Sequence, residues 1–178
     1  MNKNNNYFLG NLYYIIGKQT TNFRITNSKI DEKGNKIFSK WVYYLDATEK
    51  QIANATHRTL LNNEIILDFD KETGETKEDV KKRVKECLID LNNNNIKYKC
   101  FDTTSNGYHV HIFKKGLFFL TPKERKEYRT NVIRKYNCDF QKASDKICIA
   151  LEGSLHWKTG KRMFEVGINE LCWKWLFG

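Results

Sequence analysis

The sequence predicts an α+β fold in which helices pack on one face of an antiparallel or mixed sheet. The first observation is the order of apolar and amphipathic segments from Asp68 onward, which is strand, helix, strand, strand, helix, strand, strand. The second is that both helical segments begin with capping residues, and the first also carries apolar side chains at helical spacing. These features are typical of a ferredoxin-like or RNA-recognition type of arrangement.

Composition limits the class of protein. The chain has 178 residues, 40% of them hydrophobic, and a net charge of +10, which indicates a folded basic protein with a real core. This charge favours a polyanionic partner, although a Lys-rich and Asn-rich composition also arises from a biased genome. The five cysteines form no C-x-x-C pair, which argues against a zinc knuckle or a disulfide scaffold. Without a signal-peptide core or a long apolar run, we expect a soluble, cytoplasmic protein with no membrane partner.

The first third of the chain carries mixed signals. We expect a strand or short helix at 7–16, strands at 23–25, 36–38 and 41–45, and a helix at 47–61. Gly34 and Asn35 indicate a hairpin turn between the strands at 23–25 and 36–38. Arg58 lies near the end of the predicted helix, where it could contact phosphate or lie on a solvated surface.

The apolar run at 64–70 lies between turn-rich flanks and has the pattern of a buried strand. Asp68 and Asp70 lie at its end, and side chains two apart on a strand point to the same face. Two carboxylates held side by side repel each other, and a divalent cation is the most economical reason for such a pair. Taken alone, an Asp-x-Asp pattern is also compatible with an ordinary solvated strand end.

Two capping boxes mark the predicted helices in the second half of the chain. Thr76 is followed by Asp79, and Thr121 by Glu124, with Pro122 at the first helical position. The elements expected after Asp70 are helices at 76–91 and 121–136 and strands at 96–101, 108–113, 147–151 and 162–166, with a turn at 103–107 and a loop at 153–160.

Three polar clusters follow one another along these elements. They are Asp68-Phe69-Asp70, then Ser105-Asn106-Gly107-Tyr108-His109, then an acid near Asp139 followed by Gly153-Ser154-Leu155-His156-Trp157-Lys158-Thr159-Gly160. In this order and spacing the chain resembles the archaeo-eukaryotic primase superfamily, which includes the small catalytic subunit of DNA primase. The resemblance covers 64–166; it departs from the usual pattern at Ala150-Leu151-Glu152, where an Arg-rich approach is common.

The resemblance implies a set of metal ligands. It assigns Asp68, Asp70 and Asp139 as catalytic residues that hold two divalent ions, and Asp145 and Glu165 are rivals of Asp139 for the third position. Mg²⁺ or Mn²⁺ is implied, because hard oxygen ligands suit hard cations.

The resemblance also implies binding residues and partners. The residues assigned to the nucleotide triphosphate are Ser105, His109, His156 and Lys158, and those assigned to the nucleic acid are Arg58, Trp157, Lys161 and Arg162. The expected activity is the joining of nucleoside triphosphates on a single-stranded DNA template, with a helicase or a primase large subunit as a possible further partner. We expect one primase-like domain over 1–178, with an N-terminal unit at 1–63 and a metal-binding catalytic core at 64–167.

Two other functions fit parts of the sequence. His109 and His111 on one strand face, followed by a helix with Tyr128 and Tyr136, also resemble a rolling-circle replication nuclease of the HUH type, in which a tyrosine attacks a DNA phosphate. The other alternative is a non-catalytic module that binds single strands through a charged aromatic sheet. The nuclease leaves the aspartate pair unused, and acidic residues suit the binding module poorly unless a metal neutralises them.

Overall fold

The computed structural model describes residues 23–156 and 159–171. The predictions for residues 7–16, Trp157 and Lys158 lie outside this part of the chain. The described strands are β1 (Arg24–Thr26), β2 (Ser28–Ile30), β3 (Lys36–Phe38), β4 (Val42–Tyr43), β5 (His57–Thr59), β6 (Glu64–Phe69), β7 (Tyr98–Asp102), β8 (Tyr108–Phe113), β9 (Cys148–Ala150) and β10 (Phe164–Glu165). The described α-helices are α1 (Glu49–Ala53), α2 (Lys77–Asn93) and α3 (Pro122–Lys135), and 3₁₀ helices span Tyr44–Asp46, Lys115–Phe119 and Phe140–Ala143.

Two antiparallel sheets organise the protein. The first sheet has the strand order β4-β1-β5-β9, and the second sheet has the order β10-β7-β8-β6. A separate hairpin pairs β2 with β3. Strand β9 comes late in the chain but pairs with β5, so the two parts of the sequence share the first sheet.

The second sheet has one apolar and one largely polar face, as the alternation of side chains along strands requires. On one face, Leu67 of β6 and Val110 of β8 are fully buried in a core with apolar residues of α2 and α3. On the other face, Asp68 and His109 are paired across the two strands and are buried without belonging to that core. This sheet with helices on it confirms the predicted α+β fold.

The helix boundaries follow from local hydrogen bonds. The Thr76 hydroxyl accepts from the Asp79 backbone N–H, and the Asp79 carboxylate accepts from the Thr76 N–H, which completes a capping box. The same reciprocal pair forms between Thr121 and Glu124 ahead of Pro122. Both predicted helix starts are therefore confirmed.

Two predictions for the first third of the chain are wrong. The helix predicted at 47–61 ends at Ala53, because 57–59 form β5 and bond to β1 on one side and β9 on the other. The predicted hairpin joins β2, not residues 23–25, to 36–38, because β1 lies inside the first sheet between β4 and β5. Within the described residues, no helix has both the length and the apolar character needed to cross a bilayer.

Candidate active site

The pairing of β6 with β8 brings the first two polar clusters together. Asp68 lies opposite His109 in the register of the two strands, and His109 Nε2 is 3.3 Å from Asp68 Oδ1. Only 7% of Asp68 is exposed. Burial acts to raise the pKa of Asp68, but the charges and contacts of His109 and then Lys142 outweigh it and lower the pKa well below its usual value. Asp68 is therefore a carboxylate held ionised in a largely buried place.

Lys142 is the second cationic neighbour of Asp68. It lies on the 3₁₀ helix at 140–143, and its Nζ is 3.0 Å from Asp68 Oδ2. Burial acts to lower the pKa of Lys142, but the carboxylates of Asp68, Asp139 and Asp70 together raise it. The ammonium group is therefore held charged, in contact with Asp68 and under the influence of the charges of Asp70 and Asp139.

Asp70 lies just beyond β6, and the turn at 103–107 approaches it closely. A Cβ built on Gly107 would lie 2.6 Å from Asp70 Oδ1 and 2.6 Å from the Phe69 carbonyl oxygen, so only glycine fits this position without a shift. Burial and the charge of Asp68 raise the pKa of Asp70, and Asp139 adds to the effect. The turn that carries Ser105 therefore packs closely against Asp70.

The structure separates the three candidates for the third acid. Asp139 caps the 3₁₀ helix that carries Lys142, and its charge acts on both Asp70 and Lys142. Asp145 is held in ion pairs by Arg125 and Arg129. Glu165 on β10 pairs with Lys99, 2.9 Å away on β7. Of the three, Asp139 is the one whose charge acts on Asp70, and Asp145 and Glu165 are already engaged in ion pairs.

A cavity of about 310 Å³ opens beside Asp68, between the two sheets. Its wall includes residues from both sheets, from β3 and from the turn at 103–107. A second cavity of about 570 Å³ adjoins it along the loop at 70–74, and the two share Asp70, Ser105 and His156. The predicted site residues on the wall of the first cavity are Asp68, Asp70, Ser105, His109 and His156.

His156 reaches this cavity from a tight hairpin. Its backbone N–H donates to the Lys161 carbonyl at 2.7 Å, and its Nδ1 accepts from the Thr159 N–H at 3.3 Å. Because Nδ1 is an acceptor there, a neutral His156 carries its proton on Nε2, which can then donate to an anion. The Thr104 hydroxyl lies 3.2 Å from that of Thr159 and ties the hairpin to the turn at 103–107.

The basic residues after His156 lie outside this cavity wall. Lys161 is exposed at the end of the hairpin. Arg162 is half-buried and donates to the Gly153 carbonyl at 2.8 Å. Arg162 forms an isolated antiparallel bridge with Leu155.

The donor set at Asp68 fits a divalent cation. Asp68 Oδ1 and His109 Nδ1 are buried and make no hydrogen bond among the described residues, and His109 Nε2 lies 3.3 Å from Oδ1. A buried carboxylate oxygen without a hydrogen bond is costly, and such an oxygen is the kind of ligand that Mg²⁺ and Mn²⁺ prefer. Asp68 and Asp70, which both line the cavity, are the residues there that could hold such an ion.

Arg58 requires a correction. It was predicted to contact nucleic acid, but it is 0% exposed. Its Nη2 lies 2.6 Å from Glu64 Oε1 and 2.5 Å from Glu152 Oε1, so both carboxylates neutralise it inside the protein. An arginine enclosed in this way cannot reach a phosphate. The Glu152 that departs from the family pattern is thus the buried partner of Arg58.

Glu64, His111 and Glu152 form a second group that could hold a metal ion, with ligand atoms within 4.8 Å of one another. His111 Nδ1 lies 2.9 Å from both Glu64 and Glu152. Burial acts to lower the pKa of His111, but Glu152 and Glu64 outweigh it and raise the pKa. Arg58 already satisfies both carboxylates, so a cation would have to displace it.

The geometry argues against the HUH nuclease. His109 and His111 lie on the polar face of the second sheet, whereas Tyr128 and Tyr136 pack against the core on its helix face. The Tyr128 hydroxyl accepts from Lys114 and the Tyr136 hydroxyl donates to Asp90. Neither tyrosine can attack a phosphate held at the two histidines, because the sheet lies between them.

The cavity residues that were not predicted as site residues from the sequence include Lys36, Phe38, His57 and Lys142. Burial, and then the charges of Lys36 and Lys142, lower the pKa of His57 to about 4. Lys36 Nζ is 3.1 Å from His57 Nε2, which must accept because an ammonium can only donate. For Lys142, the sequence offers one local signal, which is its position three residues after the predicted metal ligand Asp139.

Comparison with known proteins identifies the fold. No family model matches the chain, and no curated protein matches its sequence. The chain is similar in structure to the polymerase domain of Ligase D from Mycobacterium tuberculosis, solved in complex with DNA. The TM-score is 0.61 at 9% sequence identity, over 84% of this chain and 74% of that chain. At this identity the likeness concerns the fold alone.

Proposed function

We propose that this protein is a template-directed nucleotidyltransferase, a DNA primase or primase-polymerase. One observation carries the proposal: a single cavity is lined by Asp68 and Asp70, by Ser105 and His109, and by His156. These residues come from three separate polar clusters of the sequence. The similarity of the fold to a polymerase domain supports the same conclusion.

Each group in the cavity has a role in the proposed reaction. Asp68, Asp70 and Asp139 would hold Mg²⁺ or Mn²⁺, which supplies a lowered pKa at an attacking 3′-hydroxyl and neutralises the triphosphate. The 3′-oxygen forms a bond to the α-phosphorus, and the bond to pyrophosphate breaks. His156 Nε2 and the Ser105 hydroxyl can donate to phosphate oxygens, as can His109 from its place beside Asp68.

The template and partners belong to the same proposal. Trp157, Lys161 and Arg162 would contact a single-stranded DNA template, whereas Lys158, like His156, would contact the triphosphate. The net charge of +10 supports a polyanionic ligand, and the structurally similar polymerase domain was solved in complex with DNA. A helicase or a large subunit would be a further partner. A binding module without catalysis would also use this charge, but it gives no role to the acids in the cavity.

The test is incorporation of labelled nucleotides on single-stranded DNA with Mn²⁺ or Mg²⁺. We expect Asp68→Asn to reduce incorporation by at least about a thousandfold, because it removes charge from the proposed metal site. The matched control is Asp46→Asn, which changes an exposed aspartate outside the cavity and is expected to retain wild-type activity. Strand binding without incorporation by the wild type would favour the binding module. Equal activity of wild type and Asp68→Asn would contradict the assigned site.

A further inference from the structure

Lys142 occupies a position at the acids that the proposed reaction leaves without a role. Its ammonium nitrogen is 3.0 Å from Asp68 Oδ2, and its side chain is only 21% exposed. The charges of Asp68, Asp70 and Asp139 all act on it. A cation is therefore already paired with Asp68, within the electrostatic influence of the other two carboxylates.

The local backbone fixes Lys142 in this place. The 3₁₀ helix at 140–143 begins after Asp139, and the Lys142 N–H donates to the Asp139 carbonyl at 3.2 Å. Asp139 is the N-cap of this turn, and its carboxylate accepts from the Gln141 N–H, so both Asp139 and Lys142 are held by the same short helix. One short turn thus delivers both the third acid and a competing positive charge.

The two oxygens of Asp68 are in different states. Oδ2 is paired with Lys142 at 3.0 Å, whereas Oδ1 makes no hydrogen bond among the described residues and contacts His109 Nε2 at the longer distance of 3.3 Å. A divalent ion bound at Oδ1 would lie within a few ångströms of the ammonium group, where two positive charges repel each other strongly in a poorly solvated place. The carboxylate cannot hold both cations at full strength.

We propose that Lys142 is a built-in counter-ion that competes with the divalent metal for Asp68. It neutralises the acids while the metal is absent and moves away from Asp68 when the metal binds. The inference rests on the proposed function only for the assignment of Asp68, Asp70 and Asp139 as the metal ligands. Metal affinity in the absence of nucleotide is then set partly by the cost of displacing Lys142.

The test is titration of metal-free protein with Mn²⁺, followed by electron paramagnetic resonance at constant ionic strength and without nucleotide. We expect Lys142→Met to bind Mn²⁺ roughly tenfold more tightly, or better, because the competing charge is gone. The matched control is Lys146→Met, which removes the same charge from an exposed position nearby and is expected to change affinity less than twofold. Unchanged or weaker binding by Lys142→Met, or equal tightening in both variants, would overturn the proposal.

Two further variants keep the test decisive. Lys142→Arg retains the charge and is expected to bind Mn²⁺ no more tightly than the wild type, so tightening in this variant would also overturn the proposal. Lys142→Gln repeats the experiment if circular dichroism shows that the Met variant does not fold without metal. The result does not depend on nucleotide incorporation. The proposed function fails if metal-loaded protein incorporates no nucleotide. This inference fails if the affinity for Mn²⁺ is the same with and without the Lys142 ammonium group.

Discussion

At the scale of single residues, Gly107 is the most sensitive position outside the acids. A methyl group there would meet both the Asp70 carboxylate and a backbone carbonyl at 2.6 Å. We expect Gly107→Ala to destabilise the protein by about 1–3 kcal/mol and to lower nucleotide incorporation more than tenfold, because the turn must move away from Asp70. Urea unfolding and the incorporation assay measure the two effects.

The control for this substitution is Gly116→Ala. Gly116 has no heavy atom within 4 Å of an added Cβ, so stability and activity should stay close to those of the wild type. If Gly107→Ala behaved like Gly116→Ala, the close approach of the turn to Asp70 would have no functional meaning.

The site residues divide into those that the sequence could reveal and those that it could not. Asp68, Asp70, Ser105, His109 and His156 stand in motifs whose order carries the resemblance, and the structure brings them to one cavity. The burial of Arg58 is not evident from the sequence, because it depends on β5 lying in the first sheet and on Glu152, which is 94 residues away, as well as on the nearer Glu64. A contact between residues so distant in sequence leaves no local pattern.

At the scale of elements, the buried ion cluster around Arg58 joins the two sheets. Arg58 belongs to β5 of the first sheet, whereas Glu64 and His111 belong to β6 and β8 of the second. We expect Arg58→Met to cost about 3–5 kcal/mol of unfolding free energy, because it leaves buried carboxylates without their counter-charge. The measurement is chemical denaturation at pH 7.

An exposed arginine supplies the comparison for Arg58. Arg134→Met removes the same charge from an exposed position on α3 and should change stability by less than about 0.5 kcal/mol. A loss for Arg58→Met no larger than that for Arg134→Met would mean that the cluster does not hold the sheets together.

Local signals predicted some elements and failed for others. The capping boxes at Thr76 and Thr121 are complete within four residues, and both helix starts were correct. Strand β5 lies where the sequence predicts the end of a helix, because its extended conformation depends on hydrogen bonds to β1 and β9 and leaves no local signal. The order of segments predicted the fold class. It could not reveal that β9 pairs with β5 in the first sheet and not with the strands of the second sheet that precede it in the chain.

At the scale of the whole molecule, stability should depend on pH through His57. Its pKa is lowered from 6.5 to about 4 in the folded protein, so the unfolded chain binds more protons between these values. Stability is therefore fully present above pH 6.5 and is lost as the pH falls towards 4. At about 1.4 kcal/mol per pH unit, the loss reaches about 3 kcal/mol.

The measurement for His57 is urea unfolding at several pH values from 4.5 to 7.5, for the wild type and His57→Gln. We expect the unfolding free energy of the wild type to fall relative to that of His57→Gln as the pH falls, because only the wild type has an imidazole that takes up a proton in the unfolded chain while staying neutral in the folded protein. If the difference in unfolding free energy stayed constant with pH, the pKa of His57 would be the same in the folded and unfolded states, which would contradict this account.

The proposed function depends most directly on where a metal ion binds. The measurement is anomalous diffraction from crystals grown with Mn²⁺ and a non-hydrolysable nucleoside triphosphate. We expect an anomalous peak within about 2.5 Å of carboxylate oxygens of Asp68 and Asp70, with the triphosphate beside Ser105 and His156. A peak confined to Glu64, His111 and Glu152, with the acids of the cavity still paired to Lys142, would contradict it.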